Sequence, residues 1–282
     1  MQRGCLAALA GLCLTLQAQT QPLPEVQALP RVTPSAEFLA WREGRAVLRV
    51  GVVQDWQPID WVDGDGRYTG LSGELMQALA RMLQMPLQVR TFRDFPSLMA
   101  AARAGEVDVL PSTARSPQRE AELLFTDSYV QLPMAYIGRR GTNDFSDSHD
   151  FGGRRVAVER GYAAHEYLLT RHPGAGLVEL DDTRAAVQAV AEGRADVYLG
   201  ALAPAHRVIE VERIDNLQVL RRVVLGQGQL HLGVPRSAAP LHEALNAALR
   251  AIDPGWIDQL VAAWQPRYLA LAPERVAAVD EA

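Results

Sequence analysis

The chain has 282 residues, 48% of them hydrophobic, and a formal charge of -5. That length supports one large domain or two smaller ones, and the acidic balance leaves no basic footprint for nucleic acid. All 28 basic residues are Arg, which removes lysine-nucleophile and Schiff-base chemistry.

Arg3 opens the chain with a positive charge, and Cys5 to Leu16 is apolar but too short to span a membrane. Ala18 supplies the small residue of a cleavage site, so residues 1–18 read as a secretory signal peptide. A buried or interfacial helix is the competing reading, and Ala10-Gly11-Leu12-Cys13 fits a lipoprotein signal poorly. Both cysteines, Cys5 and Cys13, lie inside this segment. The mature chain therefore has no disulfide and no thiol nucleophile, which suits a bacterial periplasm. No later segment is a long apolar run, so the mature protein is expected to be soluble.

Residues 19–45 read as a Gln- and Pro-rich linker ending in a short helix, SAEFLAWREG, closed by Gly44. A strand follows (AVLRVGVV), then a strongly amphipathic helix over Gly70–Met85 with Leu71, Leu75, Leu79, Met82 and Leu83 on one stripe. PLQVRTF reads as a strand, FPSLMAAARAG as a helix and EVDVLPS as a strand. The pattern restarts at RRVAVERG, with a helix over AAHEYLLTRHP, a strand GLVEL, a helix DTRAAVQAVAEG capped by Asp182 or Thr183, and a strand RADVYLG. Two stretches echo each other, AAARAGEVDVLPS and QAVAEGRADVYLG, each a helix closed by Gly and followed by an Asp and a strand. LQVLRRVVL and GQLHLGVPR read as strands, APLHEALNAALRAI and GWIDQLVAAW as helices. The expectation is an α/β protein of two lobes, each a mainly parallel sheet flanked by helices. Lobe 1 takes residues 46–133 plus 228–265, lobe 2 residues 134–227, and 266–282 form a tail.

One local feature asks for an explanation. Ser116-Pro117 is a good helix start, yet Arg115 and Arg119 stand there, where the helix dipole disfavours cations. Either both are solvated or they await an anion.

The blocks LRVGVVQDWQPIDWVDGDGRYTGLSGELMQALARML, AGEVDVLPSTARSPQREAELLFTDSYV, GGRRVAVERGYAAHEYL and AVAEGRADVYLGA resemble, in order, those of the type II periplasmic solute-binding proteins, bacterial extracellular family 3, in the amino-acid-binding branch. FLAWREGRAVLRVGV, QPIDWVDGDGRYTG and FTDSYVQLPMAYIGRR are similar to the Venus-flytrap sensor domains of hybrid histidine kinases, and YLALAPERVAAVDEA to the link between tandem domains there. A free-standing protein and a piece of a longer receptor both stay open. The resemblance implies two lobes joined by two hinge strands that close over a ligand.

It also implies site residues. Arg119 falls at the family's carboxylate-binding Arg, where an anion would bind the guanidinium and helix N–H groups together; a surface Arg is the alternative, and Arg115 reads as a rim residue. Ser112 and Thr113 end a strand at the ligand-binding edge, with an ordinary turn as the other reading of Thr113. Trp56 and Phe95 would wall the apolar side, Phe95 equally well as core. Asp55 and Asp60 read as solvated loop charges. Arg160-Gly161-Tyr162 is the turn that would offer backbone N–H groups to a ligand, with Tyr162 where the family has Thr. Ala201 stands where amino-acid binders carry the Asp that pairs the ligand ammonium, and no neighbour replaces it. A small anionic solute is therefore expected over a standard amino acid.

The six His residues are scattered without metal-ligand spacing, and no nucleophile elbow or phosphate loop occurs. No enzyme activity and no cofactor are expected. The expected role is periplasmic capture of an organic-acid or amino-acid-like ligand for an ABC permease, by a monomer. A sensor module for a membrane histidine kinase is the alternative, and a periplasmic lyase of the same fold, which would need an acid in the cleft, is the alternative from another class.

Overall fold

The structure is a computed structural model that describes residues 22–25, 29–54, 56–142, 151–225, 228–264 and 276–278. The expected signal peptide, most of the tail and Asp55 lie outside the described residues.

Helix α1 (Ala36–Arg42) starts where the Ser35 hydroxyl accepts the Phe38 N–H at 3.1 Å, and Phe38 is buried. Strand β1 (Leu48–Val53) pairs in parallel with β4 (Leu87–Phe92). Between them run the short hairpin β2 (Trp61–Val62) and β3 (Tyr68–Thr69) and helix α2 (Leu71–Met82), which buries Leu71, Leu75, Leu79 and Met82 as its stripe requires. Helix α3 (Phe95–Arg103) is capped by Asp94, whose Oδ1 accepts the Ser97 N–H at 2.8 Å.

The next strand begins later than its apolar run. β5 spans Leu110–Ala114, while 107–109 only dock on β1 through the Val50–Val109 bridge. Asp108 anchors this segment. Its carboxylate takes the Arg49 N–H at 2.9 Å and the Arg49 guanidinium at 2.6 Å, which ties this segment edge-on to β1. Then come α4 (Pro117–Glu120), β6 (Leu123–Phe125) and β7 (Val130–Gln131).

The second half holds β8 (Met134–Arg139), β9 (Arg155–Glu159), α5 (Ala163–Arg171), β10 (Gly176–Leu180), α6 (Thr183–Ala191), β11 (Val197–Ala201), α7 (Leu202–Val211) and β12 (Leu217–Val224). The chain ends with β13 (Gln229–Pro235), α8 (Ala239–Ala251), α9 (Pro254–Trp264) and β14 (Val276–Ala278). Helix α7 has no counterpart in the sequence reading. Pro204 looks like a breaker, but it lies in the first turn, where its missing N–H leaves no helical bond unmade.

One six-stranded sheet runs β10-β9-β11-β8-β12-β14, and β13 joins β5, β6 and β7 in another. In each, one strand is opposed to its neighbours: β8 is antiparallel to β11 and β12, and β13 to β5, β6 and β7. These are the first strands after the chain changes lobe. It leaves lobe 1 through Leu132 and Pro133, and Leu225 and Gly228 flank its return. The two passages bond each other: the Leu132 N–H donates to the Gly228 carbonyl at 2.8 Å, and Gln131 Nε2 donates to the Leu225 carbonyl at 3.2 Å. An apolar cluster containing Leu132, Met134, Val223 and Leu225 continues the core through this point.

Gly228 has no room for a side chain, because a Cβ there would lie 2.4 Å from the Leu132 carbonyl oxygen. Gly228→Ala must push the two passages apart. It is expected to cost about 1–3 kcal/mol, measured as a lower urea midpoint; an unchanged midpoint would show that the passages are not in contact.

Candidate functional site

Both lobes contribute walls to one interior cavity. Lobe 1 brings Trp56, Asp60, Phe95, Ser112, Thr113 and Arg119; lobe 2 brings Glu159, Tyr162 and Ala201. Its volume is about 60 Å³. A water needs roughly 10–15 Å³ by the same measure, so this arrangement has room for a few waters or a very small solute. Trp56 and Tyr162 meet edge-to-face at 6.2 Å and also line a second, more polar cavity with Arg93, Asp182 and Arg184.

Arg119 is the residue on which the lobes meet. Helix α4 places it, with the Ser116 hydroxyl accepting the Arg119 N–H at 3.3 Å. The side chain is 5% exposed. Nε donates to Glu166 Oε1 at 2.9 Å, Nη2 to the Gly161 carbonyl at 2.9 Å and Nη1 to the Ala114 carbonyl at 2.9 Å. The guanidinium carbon lies 4.3 Å from the centre of the Phe95 ring. Burial pulls the Arg119 pKa down, and the neighbouring Glu166 carboxylate acts in the opposite sense. The anion that the misplaced charge called for is thus present: it is Glu166 on α5 of the opposite lobe. Arg115 is exposed and pairs with Glu120.

The turn after β9 departs from expectation. The Gly161 N–H donates to His165 Nδ1 at 3.1 Å, and the Tyr162 N–H donates to the Glu159 carbonyl at 3.1 Å. Neither points a free donor at the cavity; the turn's carbonyl faces Arg119 instead. Gly161 has a φ of +75°, a backbone conformation that Gly adopts without strain. Arg160 is off the cavity altogether. Its guanidinium pairs with Glu179 at 3.2 Å and Asp181 at 3.0 Å on the exposed face, because strand alternation turns it away from Glu159. Tyr162 lines the cavity and packs edge-on against Trp56 and Phe95. Thr113 lines it too, but its hydroxyl donates to the Leu110 carbonyl at 3.2 Å. Phe95 fills both expected roles, facing the cavity and packing with Leu98 and Met99.

Asp60 is not a solvated loop charge. It is 3% exposed, and its Oδ2 accepts from the Ser112 hydroxyl at 2.7 Å. Burial drives its pKa up to about 7. Glu159, which ends β9, is 2% exposed, accepts from Thr183 Oγ1 at 2.7 Å and Tyr198 Oη at 2.8 Å, and has its pKa raised by burial. Tyr198 reaches it because Gly200 has no side chain; a Cβ there would overlap the Tyr198 hydroxyl at 1.9 Å. The cavity wall therefore carries two carboxyl groups near the empty place at Ala201. These are two acids in the cleft that the sequence reading did not place there. Glu159 was legible only as a charge closing an apolar strand, and Asp60 not at all, since it lies in a loop.

Among the described residues no group of three or more His, Cys, Asp or Glu is placed to hold a metal ion, and no helix is long and apolar enough to cross a membrane.

Residues 48–267 match the model of the bacterial extracellular solute-binding proteins, family 3. The chain belongs to that family. It is 26% identical over 231 residues to the virulence sensor protein BvgS of Bordetella bronchiseptica, which covers 82% of this chain and 19% of that protein. The chain thus spans about a fifth of the length of the sensor proteins it matches. It is 24% identical over 215 residues to the putative ABC transporter arginine-binding protein 2 of Escherichia coli, covering 73% of this chain and 84% of that one. The crystal structure of the Bordetella pertussis BvgS periplasmic domain superposes with a TM-score of 0.73 at 25% identity, over 83% of this chain and 45% of that chain. The fold is that of the type II periplasmic binding proteins, the two-lobed Venus flytrap.

Breaking a buried ion pair leaves one charge without a partner and out of water. Glu166→Gln is expected to lower the unfolding free energy by about 2 kcal/mol, read by urea denaturation at neutral pH. A change within error would mean that water, and not Glu166, carries the Arg119 charge.

Proposed function

We propose that this family 3 chain is a solute-sensing module, whose lobes close over a small carboxylate-bearing solute that competes with Glu166 for Arg119. The observation that supports it is the Arg119–Glu166 pair itself: a carboxylate from the chain sits on the guanidinium that the family resemblance assigns to the ligand. A solute carboxylate gains a bidentate partner there only by taking the place of Glu166. Exchange of one carboxylate for the other changes what ties α4 to α5, and so converts solute binding into a change between the lobes. Trp56, Phe95 and Tyr162 would pack on the apolar part of the solute. Amino acids belong among the candidates again, because Asp60 and Glu159 both line the cavity.

The sensor role is favoured by the curated sensor proteins that this chain matches along most of its own length. A binding protein delivering to an ABC permease is the second reading, favoured by the arginine-binding relative, which is matched along most of its length as well. In both, the module is periplasmic, exported by the segment at residues 1–18, and binds without turnover.

A thermal-shift screen against organic acids and amino acids tests this. Solute at 100 times its Kd adds about 2.7 kcal/mol. For the best solute, Glu166→Gln is expected to tighten binding about tenfold, equivalent to roughly 1.4 kcal/mol, because the internal competitor is gone, and Arg119→Ala is expected to abolish binding. Full affinity in Arg119→Ala would refute the carboxylate assignment. Conversion of the solute, followed by mass spectrometry, would move the protein to the lyase class.

A further inference from the structure

Asp60 heads a row of hydroxyl groups that runs from the cavity wall into lobe 1. Its Oδ2 lies 2.7 Å from Ser112 Oγ, which lies 2.8 Å from Ser72 Oγ, which lies 2.7 Å from Tyr129 Oη, which donates to the Pro111 carbonyl at 2.9 Å. These are four contacts in line, and the three hydroxyls bring three protons. Each hydroxyl can donate once. With Asp60 ionised, one buried contact has no proton in it, and Ser112 cannot donate to Asp60 and Ser72 at once. A fourth proton on Asp60 completes the row, with each hydroxyl accepting one bond and donating one.

Among the described residues no cation replaces that proton. The groups that act on the Asp60 charge are the Tyr68 hydroxyl from β3 and the Ser112 hydroxyl from β5. Tyr129 adds a second phenol from the segment between β6 and β7. Asp60 Oδ1 and Tyr68 Oη are both buried without a completed hydrogen bond. Glu159 on β9 of lobe 2, itself an acid, lies across the cavity, and Arg119 on α4 of lobe 1 lines the same cavity but is engaged by Glu166 on α5. Among the described residues no cation is engaged with this carboxylate, and burial disfavours its ionised form.

We propose that the proton is a second input to this module: Asp60 binds it when the lobes close, so that acid favours the closed cleft and alkali opens it. Lobe 2 forms the far wall of the cavity, and opening replaces that wall with water, which stabilises the ionised carboxylate. The direction follows from linkage. The closed-state pKa of about 7 lies above the ordinary value of 3.8, so the closed form binds more protons between those limits. Closure is fully supported below the ordinary carboxylate range and loses this support as pH rises to neutrality. The input does not depend on the identity of the solute, or on there being one.

The test is made on the solute-free protein. Interlobe distances from a pair of spin labels, one on each lobe, are measured from pH 5 to pH 8, and the Asp60 carboxyl is titrated by carbon NMR. The expected result is an Asp60 midpoint near neutrality and a shift of the distances toward the closed form at pH 5. Asp60→Asn supplies the fourth donor permanently, through its amide N–H, and is expected to remain closed at pH 8. A midpoint near 4 would overturn the proposal, and so would an Asp60→Asn variant that keeps the wild-type pH response. If that variant does not fold, the titration of the wild-type carboxyl still decides. A response lost in Glu159→Gln but intact in Asp60→Asn would place the proton on the other lobe and refute the assignment to Asp60.

Discussion

The structure depends on one constraint: a guanidinium that is 5% exposed must find its opposite charge inside the protein. Arg119 belongs to one lobe and Glu166 to the other, so meeting that constraint draws the lobes together. The surroundings follow from the pair. Phe95 lies flat beneath the guanidinium, the Ala114 and Gly161 carbonyls take two more of its N–H groups, and Gly161 allows the β9–α5 turn to present that carbonyl. Pairs of this kind are costly to break and contribute little beyond their own desolvation. Their value is specificity: the lobes have one orientation in which Arg119 is satisfied.

The same accounting governs the rest of the cavity. Asp60 and Glu159 are buried without cations and depend on hydroxyl groups: Ser112 for the first, Thr183 and Tyr198 for the second. A hydroxyl row can stabilise either protonation state by reversing its direction, but it cannot create a missing proton. The cavity is therefore polarised, with its positive end neutralised internally and its negative end responsive to protons and to whatever enters. Such a site can detect a small solute by exchange of partners, which is a population shift rather than a new fold.

Much of the fold was legible in the sequence. The stripe of α2, the Gly-closed helices and the paired echoes identified two α/β lobes, because helix period and capping chemistry are local. Less was legible where the determinant is distant. β5 begins where it pairs with β13, and Asp108 just before it is held by Arg49, a residue far away in sequence. The two- and three-residue strands β2, β3, β6 and β7 are too short to show a period. At the site, the helix dipole raised Arg115 and Arg119 alike, and only the family resemblance singled out Arg119. Its partner was not legible, because Glu166 is one unremarkable charge on a helix of the other lobe. Asp60 was misread for the same reason: burial is a property of the folded assembly, not of a loop sequence.

If the Arg119–Glu166 pair holds the lobes together without a solute, breaking it should let them separate. Small-angle X-ray scattering of the solute-free protein, beside Glu166→Ala at the same pH, addresses it most directly. The account predicts a wild-type profile that fits the compact two-lobed structure and a larger radius of gyration in the variant. A wild-type protein already as expanded as the variant would contradict it.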